Sequence, residues 1–124
     1  MKIEVSNGEI VDKITILQIK LEKIQDSVKR ENIEKELSVL SPELEKGSIS
    51  IDQRLIDELH GVNLQLWDIE DKIREKEHQK VFDDEFIELA RSVYRTNDER
   101  SRIKKDINVL TRSNLVEEKS YKKY

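Results

Sequence analysis

FIELARSVYRTNDERSRIKKDINVL, residues Phe86 to Leu110, carries a helical pattern that fails in its middle. Phe86, Leu89 and Val93 open an apolar line at helical spacing, and Ile103, Ile107 and Leu110 resume it in register. Between them RTNDERSR, from Arg95 to Arg102, contains no apolar residue. Thr96 and Arg100 fall on the line across this gap, so one long helix over 84–111 is expected to turn polar groups toward its core. Tyr94, Asn97, Ser101, Lys104 and Asn108 follow in the next column and flank that line.

Moving toward the start of the chain, Leu55, Leu59, Val62, Leu66, Ile69 and Ile73 recur at steps of three and four, predicting a second long helix over 51–80. Its flanking column is Ile56, His60, Asn63, Trp67, Glu70 and Arg74. Ile10, Ile14, Leu17, Leu21, Ile24 and Val28 set a matching seam near the start, within a helix over 7–40 that bends or breaks near 26–30 where the phase slips. Ser6 with Glu9 has capping-box spacing and Val5 with Ile10 that of a hydrophobic staple, so residues 1–6 form an extended lead-in. Ser41-Pro42 and Gly47-Ser48 mark residues 41–50 as a linker. Asn114 with Glu117 suggests a short final helix within a tail over 114–124. Gly61 points to a close helix approach or a local bend. The fold class that follows is all-α: a single domain, an antiparallel helical bundle of long amphipathic helices with coiled-coil-like seams.

Composition narrows the partners. Of 124 residues, 40% are charged and 35% hydrophobic, a thin core that favours completion by a second copy, so a homodimer is expected. There is no cysteine, which removes disulfides and thiolate chemistry. The start, MKIEVSNGE, lacks the apolar run of a signal peptide, and no stretch approaches the length that spans a bilayer, so a cytoplasmic chain without membrane contact is expected. The formal charge of −4 disfavours nucleic acid as the main partner, although Arg91, Arg95, Arg102, Lys105 and Arg112 form a basic stripe on the last helix. Glu75 and His78 have the Glu-x-x-His spacing of di-iron bundles, but that chemistry needs such pairs on separate helices, and no metal or cofactor is expected. Trp67 is read as a core anchor.

If the three flanking columns converge, they line a polar groove. Lys13, Lys20, Asn63, Glu70, Arg74, Tyr94, Asn97, Arg100, Lys104 and Asn108 are its candidate ligand-binding residues, because guanidinium and ammonium groups beside a dry core hold carboxylate or phosphate strongly. The competing reading has Arg100 and Arg74 paired with Glu70 and Asp71 as a register-fixing network inside the bundle. The function expected first is a non-enzymatic interaction or assembly module for a protein partner or a second copy. The alternative is a protein or enzyme for a small anion such as a phosphate, sugar nucleotide or carboxylate; the third is RNA binding through the last helix.

Four stretches, SNGEIVDKITILQIKLEKI (6–24), LWDIEDKIREKE (66–77), FIELARSVYRTNDERSRIKKDIN (86–108) and EEKSY (117–121), together resemble a family of small helical proteins of unknown function. The family occurs in bacteria and their phages, often near genes for surface polysaccharide. The resemblance implies an all-helical, cytoplasmic protein and no catalytic assignment. It marks Asp12, Lys13, Asn63, Glu70, Asp71, Arg74, Arg91, Asn97, Asp98, Arg100 and Lys104 as candidate positions.

Overall fold

The structure, a computed structural model, describes residues 1–47 and 49–124. The described residues contain four helices and no strand: α1 (Asn7–Lys23), α2 (Ser27–Lys46), α3 (Gln53–Gln79) and α4 (Asp84–Leu110). No helix among them is long and apolar enough to cross a membrane. Each start is set by a side-chain cap that accepts an otherwise orphaned backbone N–H: Ser6 for α1, Asp26 for α2, Asp52 for α3 and Asp83 for α4.

α1 is the element the others share, since it packs against α2, α3 and α4, whereas α2 packs on α1 alone. That explains why α1 is buried nearly all round. Val11, Asp12, Ile14, Thr15, Leu17 and Ile19 are all buried, covering more of its circumference than one seam. Val11, outside the predicted seam, joins Leu55, Leu59, Ile103 and Ile107 in the main core cluster. Val28, expected to continue the seam, is exposed, and so is Leu110 at the end of α4.

Helix directions follow from paired positions. Lys76 meets Asp83 and Glu85 at one end of the α3–α4 pair and Glu58 meets Arg102 near the other, so the two helices run antiparallel. Asn7, Gly8 and Asp12 meet Thr111, Asn108 and Arg100 in turn, which sets α1 antiparallel to α4. The discontinuity expected near 26–30 is a full reversal. Ile24 adopts an extended conformation, and the Arg30 guanidinium reaches back to the Leu21 and Ile24 carbonyls (3.0 Å to the latter), satisfying the end of α1.

Three expectations are corrected. Ser41-Pro42 does not open the linker, because α2 runs through it to Lys46. The carbonyl that Pro42 leaves without a helical donor belongs to Ser38, an exposed residue that water can reach, and continuing the helix lays Leu44 against the core. The part of the expected linker at Ser48 lies outside the described residues. Gly61 makes no close approach, since a Cβ there would meet nothing within 4 Å and α3 is unbroken. The close approach is at Gly8, where a Cβ would sit 2.5 Å from the Lys104 carbonyl oxygen.

The short helix expected after Asn114 is absent as well. α4 ends in a Schellman closure, with the Ser113 N–H on the Asn108 carbonyl and the Arg112 N–H on that of Val109, and Arg112 takes the left-handed conformation (φ 53°). The chain then returns along α4 without regular structure. Glu117, instead of completing a cap with Asn114, is drawn to donors on α1 and α4.

Candidate functional site

Asp12 is the centre of the polar interior. It is 1% exposed, and its carboxylate is gripped by the Arg100 guanidinium, with Nε donating to Oδ1 at 2.9 Å and Nη2 donating to Oδ2. From α3, Asn63 donates to Asp12 Oδ1 at 2.9 Å and to the Thr15 hydroxyl at 3.0 Å; that hydroxyl in turn donates to the Asp12 carbonyl at 2.8 Å. Three helices are thus tied by one carboxylate. Burial by itself would push the Asp12 carboxyl up, but hydrogen bonds from Arg100 and Asn63 and the charges of Arg100 and Lys104 more than reverse this and hold it below the ordinary 3.8. It is therefore charged at neutral pH and fully engaged.

A second layer lies toward the start of α1. Lys104 donates to Glu9 and stands 3.7 Å from Asp12, while Lys13 reaches Glu9 at 3.7 Å from a more exposed position. Ser6 caps α1 by accepting from the Glu9 N–H at 3.1 Å, yet the Glu9 carboxylate does not close the other half of the capping box. The lysine ammonium is the stronger, charge-assisted donor. Below this, Asn108 accepts the Gly8 N–H at 2.6 Å and donates to Glu117 at 3.0 Å; Glu117 also accepts from the Ser6 hydroxyl at 2.6 Å. Burial would raise the Glu117 carboxyl, and the bonds from Ser6 and Asn108 with the charge of Lys104 outweigh that and lower it. Among the described residues no buried side-chain polar atom lacks a partner.

Between α4 and the returning tail runs a groove of about 1210 Å³. Its floor includes Val93, Asn97, Arg100, Ser101 and Lys104, and its far wall is the tail, with Lys119, Tyr121, Lys122, Lys123 and Tyr124. Tyr94 and Tyr124 meet edge to face at 5.0 Å, and the Tyr124 hydroxyl donates to Asp98 at 2.6 Å. Glu118 on Lys105 at 2.8 Å holds the middle of the tail. Seven cationic side chains line the groove against four carboxylates. Lys119, Lys122 and Lys123 have no carboxylate partner among the described residues, and the Arg100 side chain remains 30% exposed beside its ion pair. A smaller cavity of about 300 Å³ opens between α1, α2 and α3 beside Val11, Leu44, Ile56 and His60, and no Lys or Arg lines it.

The predicted residues divide. Asn63, Arg100, Lys104 and Asn108 meet in the polar interior, and Tyr94, Asn97, Arg100 and Lys104 line the groove. Lys13 touches only the edge through Glu9, and Lys20 does not line the groove. Glu70 and Arg74 do not join: they pair with each other at 3.7 Å, one helical turn apart on an exposed face. The expected partnership of Arg100 with Glu70 or Asp71 is replaced by Asp12, because α1 inserts its own carboxylate at that level. Trp67 is half-buried and lies outside the main core cluster. Among the described residues no group of His, Asp and Glu could hold a metal ion.

Periodicity did not single out Asp12, Thr15, Ser6 or Glu117. Asp12 carried a usable signal, a lone carboxylate beside Val11 within the most apolar helix of the chain. The tail carried none, since its position depends on how α4 ends. No curated protein and no solved structure matches the chain. A family profile does match, over residues 1–124, and the chain therefore belongs to the family of unknown function DUF6165.

Proposed function

We propose that this protein is a non-enzymatic binding module whose groove along α4 takes an anionic partner. The observation that carries this reading is the groove's unpaired charge: Lys119, Lys122 and Lys123 have no carboxylate partner among the described residues, and Arg100 keeps unused donors beside its ion pair with Asp12, in a chain whose overall charge is −4. Such local concentration attracts and retains anions irrespective of the net charge. The internal network supports the non-enzymatic part. Asp12, the buried carboxylate nearest the groove's cations, is held ionised and saturated by Arg100 and Asn63, so it is a poor proton acceptor and serves to position Arg100. Arg100 offers five N–H donors, of which Asp12 takes two, leaving the rest for a ligand.

Thermal unfolding with inorganic phosphate, pyrophosphate and citrate tests the reading. A bound anion at 100 times its dissociation constant adds about 2.7 kcal/mol to stability. The double variant Lys122→Glu, Lys123→Glu should abolish the shift while leaving the melting temperature of the free protein nearly unchanged, because neither lysine is paired. Absence of any anion-dependent stabilisation, or an equal shift in the double variant, removes the proposal.

A further inference from the structure

We infer that the anion taken by this groove is the phosphate portion of a nucleoside phosphate, whose ring lies against the tyrosines at the groove's other end. The inference rests on the anion-binding reading above and adds the ligand's chemical class. Two regions of the groove carry it. One is aromatic: Tyr94, Tyr121 and Tyr124 are 40%, 70% and 78% exposed, so their rings contribute little to the core of the free protein and leave faces open for stacking. Tyr124 is anchored by its hydroxyl on Asp98 and by its edge on Tyr94, which fixes the orientation of a platform without covering it.

The other region is cationic. Arg100 and Lys104 form its floor and Lys119 part of its wall, and Lys122 and Lys123, between Tyr121 and Tyr124, join it to the aromatic end. Lys119, Lys122 and Lys123, the groove's three lysines without a carboxylate partner among the described residues, match a group carrying two or three negative charges and exceed what a single carboxylate would neutralise. Arg100 is held rigid by Asp12, so its remaining donors are presented without further ordering. Tyr94 and Lys104 lie ten residues apart on one helix, roughly 15 Å along its axis at 1.5 Å per residue, a span that an extended nucleoside diphosphate bridges. The groove volume, about 1210 Å³, also admits such a molecule.

Calorimetric titration of the full chain with adenosine diphosphate, pyrophosphate, adenosine and an eight-nucleotide oligothymidylate separates the outcomes. Adenosine diphosphate should bind about tenfold more tightly than pyrophosphate, the scale of one base–aromatic stack. Tyr94→Ala should remove that tenfold advantage while pyrophosphate still binds, because the Tyr124 hydroxyl on Asp98 continues to hold the tail and its lysines. Equal affinity for adenosine diphosphate and pyrophosphate overturns the ring assignment while the anion reading stands. Adenosine binding as tightly as its diphosphate overturns the phosphate assignment. Tighter binding of the oligonucleotide than of adenosine diphosphate replaces a small molecule with a single strand, and no binding of any of the four overturns both readings.

Discussion

Asn63 and Arg74 lie in one flanking column of α3, and both were expected to face a polar interior. Asn63 is 5% exposed and bonds two residues of α1, whereas Arg74, three turns on, is 78% exposed at its side chain and pairs with Glu70 on the surface. The same split runs through the whole α3–α4 pair. Beyond Asn63 no residue of α3 is buried, and on α4 the buried positions, Ile103, Ile107 and Asn108, all follow Arg100. Polar groups on one helical face thus have opposite energetic roles. Where α1 excludes water, a charge must be matched atom for atom; where water remains, pairing is nearly neutral.

The sharpest break of this contrast is Asp12→Ala. It strands the Arg100 guanidinium and the Asn63 amide in the interior and should cost about 3–5 kcal/mol, read as a lower urea midpoint with an unchanged slope. Arg100→Met alone should also destabilise, by leaving Asp12 buried without its counter-ion. Combining it with Asp12→Leu should recover most of the loss, since apolar replacement of a whole buried pair is often neutral. A double variant as unstable as the single ones would show that the network's shape, and not its charge balance, supports the fold.

Glycine supplies the next comparison. Gly8→Ala pushes a methyl group toward the Lys104 carbonyl and the Asn108 side chain, so α1 and α4 must move apart, at about 1–3 kcal/mol. Gly61→Ala meets open space on an exposed helix and should stabilise by up to about 1 kcal/mol. Opposite signs in thermal melts are expected; destabilisation by both would place a neighbour over Gly61.

Acid provides a milder probe. The Asp12 and Glu117 carboxyls are both lowered in the folded protein, so each contributes stability that is present above its ordinary value, 3.8 and 4.5, and is lost as pH falls through the lowered one. Stability should therefore decline below pH 4.5, and Asp12→Asn should flatten the more acidic part of that decline. The smallest effect is expected at the other end of the comparison: Glu70→Ala or Arg74→Ala should change stability by less than about 0.5 kcal/mol. A larger loss would mean that this face is covered in solution.

Most helix starts were legible because caps and apolar steps are local. Ser6 is the cap of α1, as its spacing to Glu9 implied, and the phase slip near 26–30 falls where Asp26 caps α2. Pro42 misled because its local preference against helix was weaker than the gain from laying Leu44 on the core. The site was legible in part for a related reason. An arginine on the core line of α4 announces a buried partner, but periodicity on one helix cannot say which other helix supplies it.

Local order along the chain specified three long amphipathic stretches, the first interrupted near 26–30, the Ser6 cap, and an arginine where the core of α4 should be. Long-range packing put α1 at the centre, gave Arg100 to Asp12, and returned the tail over Tyr94 to wall a groove. The reason is range: caps and periodicity act within a few residues along one chain segment. The pairing of Asp12 with Arg100 spans 88 positions and exists only once three helices have excluded the water between them.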